Sequence, residues 1–132
     1  MNIKSHLFAL LFLAMGNFIL AQETGVFRDY QKNYKRGMHF YNQQLYGQAL
    51  EEFDKVVNAA HLFQDTDVPM YILQSELHAS LSALYINQPD AEKRLLYFIE
   101  KNEPSAVATR ARLAVGNYYY DKKRHEDAIA VW

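Results

Sequence analysis

The chain has 132 residues, of which 50% are apolar and 22% charged, with 5 glycines, 3 prolines and no cysteine. That length holds one modest domain or a few small repeats but not two independent cores, and the composition argues for an ordered, helix-rich chain. The formal net charge is −1 and the densest basic run is only Lys122, Lys123 and Arg124, so the clustered cations that a nucleic-acid partner requires are missing. Without cysteine there are no disulfides, no thiolate metal sites and no lipid-modified cysteine at an export cleavage site.

Residues 1–21 have the layout of a secretory signal. Lys4 precedes an apolar run from Leu7 to Met15, and the first acidic residue is Glu23. Such a run is short for a membrane span but suits entry into the translocon, with cleavage expected after Ala21. Ile19 is larger than peptidases favour at that position, and a retained signal would anchor the protein to the membrane instead. Export, to the periplasm or the outer membrane, is the expectation.

From Val26 onward, apolar residues recur three or four apart and six helices are predicted. The first runs from about Val26 to Gln43, with Phe27, Tyr30, Tyr34, Met38 and Tyr41 on one stripe, and Gln44-Leu45-Tyr46 is expected to turn the chain. The second, from about Gly47 to Ala60, should bury Ala49, Leu50, Phe53, Val56 and Val57 and show Glu51, Glu52 and Lys55 to water. Asp65-Thr66-Asp67 offers caps for a third helix, with Pro69 in its first turn, ending near Ile86. Asn87-Gln88-Pro89-Asp90 leads into a fourth built on Ala91, Leu95, Leu96, Phe98 and Ile99. Asn102-Glu103-Pro104-Ser105 closes it; a fifth runs from about Ser105 to Asp121 and a sixth begins near His125. Strand signals are absent, and the fold class expected is all-α.

Six antiparallel helices could form a bundle or an array, and internal self-similarity favours the array. Gly37, Ala79 and Gly116 are each followed after 12 residues by alanine, at 49, 91 and 128, and after 16 by a large apolar residue, Phe53, Leu95 and Trp132. Small residues let helices cross closely while the bulky one fills the neighbouring gap. Phe40 and Tyr119 add an aromatic three residues after the two glycines; Ser82 stands in that slot in the middle unit.

These spacings resemble the tetratricopeptide repeat, in which Gly is followed by Tyr and, in the next helix, Ala by Phe. Units 26–61 and 105–132 match well, and the middle unit, 67–103, mainly by spacing, with anchors 42 and 37 residues apart against 34 for the family. The resemblance implies antiparallel helix pairs stacked as a short right-handed solenoid of about three repeats, the last incomplete, as at the start of exported envelope proteins with many such repeats. In that family the first helix of each pair lines the concave surface. The candidate partner-binding residues are therefore Tyr34, Met38, Tyr41 and Asn42, then Glu76, Ser80 and Ala83, then Arg110, Asn117, Tyr120 and Asp121. Tyr118 and Tyr119 are assigned to packing, and Lys122-Lys123-Arg124 to a solvated turn.

Chemistry is poorly served. No two histidines stand four apart, no Gly-x-Gly follows a strand, and no serine sits on a nucleophile elbow, so neither metal, nucleotide nor catalysis is expected. The function implied is a non-enzymatic scaffold holding other envelope proteins or peptides, with membrane association through a retained signal or through partners. The competing reading is a docking or oligomerisation arm for an enzyme or ligand-binding domain beyond residue 132.

Overall fold

The computed structural model describes residues 29–62 and 70–132, so the signal-like segment 1–21 and the Asp65-Thr66-Asp67 cap lie outside the described residues. Asn33–Trp132 form one compact unit; of the unit before it, residues 29–32 are described and are helical. Helix α1 covers residues 29–42. It is followed by α2 (Tyr46–Asn58), a short 3-10 turn (Ala60–Leu62), α3 (Met70–Tyr85), α4 (Ala91–Asn102), α5 (Ala106–Asp121) and α6 (His125–Val131). Among the described residues there is no strand, and no helix is long and apolar enough to cross a membrane. The fold is all-α, with neighbouring helices packed in pairs as in a repeat-like solenoid.

The pairs α1/α2, α3/α4 and α5/α6 are joined by the same turn. Gln44, Asn87 and Lys123 adopt positive φ of 60°, 54° and 61°. The next residue's N–H then reaches back to a carbonyl five positions earlier: Leu45 to Phe40 at 3.0 Å, Gln88 to Ala83 at 3.0 Å and Arg124 to Tyr119 at 2.9 Å. This pattern satisfies carbonyls that the end of a helix leaves bare, and it reverses the chain in three residues after α1 and α5 and in five after α3. Tyr46, expected in the first turn, instead opens α2.

The middle unit has a different register at this turn. Gly37 and Gly116 stand seven residues before the positive-φ position, and in the middle unit that place belongs to Ser80, not Ala79. Measured from the turn, then, the anchor is Ser80; measured from Ala91 and Leu95 in the second helix it is Ala79. Both are fully buried, and the extra residue before the turn is offset after it: Ala91 follows Asn87 by 4 residues, where Ala49 follows Gln44 and Ala128 follows Lys123 by 5.

The glycines do something more specific than admit an alanine. A Cβ on Gly37 would meet the Phe53 ring at 2.6 Å, and one on Gly116 would collide with the Trp132 indole. The aromatic sixteen residues on therefore lies directly over the glycine. Around this contact the core runs continuously through Ala49, Leu50, Leu84, Ala91, Leu95, Phe98, Ala111, Val115, Tyr119 and Ala128.

Helix α3 is packed against α2, α4 and α5, and it is buried on nearly every side. A helix enclosed this way needs small residues all round, which accounts for Ser75, Ala79, Ser80, Ser82 and Ala83 and for the missing aromatic. The hydroxyls of Ser75 and Ser82 find no hydrogen-bond partner. Ser105 caps α5, its hydroxyl accepting the Ala108 N–H at 3.1 Å.

One surface expectation on α2 fails. Glu52 is 4% exposed rather than solvated. Its Oε1 is held by Lys55 at 2.7 Å and Arg36 at 3.3 Å, cations from two helices that offset part of the cost of burial, while Oε2 is buried without a hydrogen-bond partner. Val57 is correspondingly only partly buried.

Candidate partner-binding face

Helix α5 advances 100° per residue, so Arg110, Ala114, Asn117 and Asp121 fall on one stripe with Leu113 and Tyr118 on its flanks. Ala111 and Val115 occupy the buried side of the helix. The stripe faces the C-terminal end of α3, and together with Tyr85, Asn87 and Lys122 it lines an open groove of about 430 Å³. Leu113, which also lines it, is 56% exposed.

The wall is built by hydrogen bonds across the two helix pairs. Tyr118 donates its O–H to Asn87 Oδ1 at 3.2 Å, and Lys122 Nζ donates to the same oxygen at 3.4 Å. The Lys122 ammonium also lies 5.4 Å from the centre of the Tyr118 ring. Arg110 and Asp121, by contrast, enter no ion pair among the described residues.

Beyond Tyr85 the face continues into an aromatic cluster. Tyr85 lies 4.6 Å from Tyr46 and 6.3 Å from Tyr41, centre to centre, and Tyr41 meets His78 edge-on at 5.0 Å. Burial, with the charge and hydrogen bond of Tyr85, raises the Tyr41 hydroxyl well above the usual phenol range. Burial also pushes His78 down, against the hydrogen bond from its ring to the Gln74 carbonyl at 2.7 Å and with help from the nearby Arg110 charge. A neutral imidazole is what a pocket of Tyr41 and Phe53 rings favours.

The residues singled out from sequence divide into four groups: in the groove, partly buried, fully buried, and exposed elsewhere. Arg110, Asn117 and Asp121 come together in the groove. Tyr34, Met38 and Tyr41 are partly buried against the core, Tyr34 on the Phe53 ring at 6.1 Å, while Asn42 is exposed at the end of α1. Glu76 is partly buried and ion-paired with Lys101 at 3.4 Å. Ser80 and Ala83 are fully buried, and the Ser80 hydroxyl donates to the Glu76 carbonyl at 2.8 Å, so neither belongs to an accessible face. Tyr120 is exposed but lies away from the groove residues, stacked on Trp132 at 6.1 Å.

Tyr118, assigned to packing, and Lys122, assigned to a solvated turn, line the groove as well, as do Tyr85, Asn87 and Leu113, which are not among the candidates. The stripe 110–113–114–117–121 is visible as a helical period in the sequence; the opposing wall is not, because it depends on where the α3 turn meets α5. Of the turn assigned to solvent, Arg124 is ion-paired with Glu92 at 2.7 Å and covers the Tyr119 ring at 4.2 Å, fastening α4 to the third pair. Tyr119 itself is buried as expected and donates its hydroxyl to Glu92 at 3.0 Å; burial and then that bond push it up to about 12.

No cluster of three or more His, Cys, Asp or Glu able to hold a metal occurs among the described residues. Comparison with known protein families, with curated proteins and with solved structures gives no match.

Proposed function

We propose that this chain is an exported, non-enzymatic scaffold of the cell envelope, its helix pairs of the tetratricopeptide type and its partner-binding surface the groove between α3 and α5. The observation that carries the reading is the groove itself: Arg110, Asn117 and Asp121 stand on one stripe beside exposed Leu113, between tyrosine walls. Such a surface offers apolar area with directional hydrogen bonds, which suits an extended protein segment. The recurring glycine-on-aromatic contact and shared turn support the repeat assignment. The Lys4-to-Met15 layout supports export, and a mature protein beginning at Gln22 is the corresponding expectation.

Affinity capture from envelope extracts tests the binding claim. The wild-type protein should recover a reproducible set of proteins that Leu113→Asp does not, with both proteins equally helical. Leu113 is exposed, so the substitution leaves the core intact. An unchanged set of captured proteins would remove the groove from the reading.

A further inference from the structure

The first and third helix pairs share one register, each residue of the first matched 79 positions later: Gln44 with Lys123, Gly37 with Gly116, Phe53 with Trp132. The ring contacts follow it in distance. Tyr41 meets Tyr46 at 5.4 Å and Phe53 at 6.4 Å; its counterpart Tyr120 meets His125 at 5.2 Å and Trp132 at 6.1 Å. What differs is the cover. Over the first pair lies α3, whose His78 packs on Tyr41 and Phe53 and whose Tyr85 packs on Tyr41 and Tyr46. There Phe53 is fully buried and Leu50 only 7% exposed. In the third pair Trp132 is 55% exposed, Tyr120 56% and Ile129, the counterpart of Leu50, 73%. None of these three lines the groove between α3 and α5; they continue the surface on which the pairs stack.

We infer that α5 and α6 present a second interaction surface, and that it receives a single α-helix of a partner protein, laid across the pair as α3 lies across α1 and α2. Equivalent surfaces take equivalent cover, and α3 shows the chemistry required: a stripe of small and apolar residues with a ring at either end, seven residues apart as His78 and Tyr85 are. A second copy of this chain stacked head to tail does not supply it. Counted from the turn, the α1 positions that match His78 and Tyr85 are Lys35 and Asn42, both exposed. That stacking would bury an ammonium and an amide against Ile129 and Trp132, at a desolvation cost that the α3 rings do not carry.

Trp132 is the only tryptophan in the sequence, so its fluorescence reports cover on this surface directly. The probe is a synthetic peptide with the α3 sequence, Met70–Tyr85, which has no tryptophan, extended with terminal lysines for solubility and titrated into the protein as purified from the producing cells. Trp132 emission should shift to the blue and saturate, and a scrambled peptide of the same composition should leave it unchanged. A peptide carrying His78→Lys and Tyr85→Asn should bind at least about tenfold more weakly, the scale of losing the central anchors of an interface. Ile129→Asp in the protein should weaken binding similarly with helicity retained, whereas Arg110→Ala, in the groove, should not. No shift, an equal shift from the scrambled peptide, or a shift indifferent to Ile129→Asp would overturn the inference. So would a dimer mass with Trp132 emission already blue-shifted in the protein alone, which would assign the surface to a second copy.

Discussion

The Phe53 ring rests on the bare backbone of Gly37, where a Cβ would stand 2.6 Å from Cε1 and 2.7 Å from Cδ1, and Trp132 covers Gly116 in the same manner. The two contacts differ in their freedom to respond. Phe53 is fully enclosed, whereas Trp132 is 55% exposed. Gly37→Ala should therefore destabilise by about 1–3 kcal/mol through overpacking, despite the better helix propensity of alanine. Gly116→Ala should cost less, since the indole can swing away. Chemical denaturation of both variants measures the difference, and adding Phe53→Leu should recover part of the Gly37→Ala loss.

The shared turn places side chains where backbone strain is expected. Gln44 and Lys123 carry positive φ of 60° and 61°. Glycine at either position should stabilise by up to about 1 kcal/mol, because an L side chain is disfavoured in the left-handed region. Asn87→Gly should be closer to neutral, since asparagine tolerates that region. Thermal melts of the three variants provide the check.

Inside α3, the Ser75 and Ser82 hydroxyls are enclosed without hydrogen-bond partners. Replacing either with alanine should raise stability by about 1 kcal/mol, removing an unsatisfied polar group and adding helix propensity. Ser80→Ala differs, since it deletes a 2.8 Å bond to the Glu76 carbonyl, and should gain less. Denaturation midpoints rank the three.

Much of this was legible in the sequence, and the failures are informative. The second, fourth and fifth helices are predicted nearly to the residue because each has an amphipathic stripe, a stop signal or a cap such as Ser105. Periodicity assigns the Glu52 carboxylate to the wet face; it cannot reveal that Arg36 of another helix pairs with it. Counted from Ala79, the spacing of the resembled family puts Ser80 on an open face. The extra residue before the Asn87 turn rotates it inward, a shift that only the backbone geometry shows.

Acid should loosen the first two pairs through His78. Burial holds its pKa below the ordinary 6.5, so the unfolded chain takes up a proton first as pH falls. The folded state keeps its full stability above about pH 6.5 and loses it as pH drops from there toward the lowered value. Melting temperatures across pH 5–8, an interval set by the histidine range, should show this slope in the wild type and a flatter one in His78→Met.

The most direct measurement of the central claim is site-specific photocrosslinking in the cells that make the protein. A photoreactive residue at Asn117, in the groove, is compared with one at Lys93, exposed on α4. The account expects discrete crosslinked partners from position 117 and none of them from position 93. Equal crosslinking from both positions, or none from 117 with the protein folded and present, would contradict it.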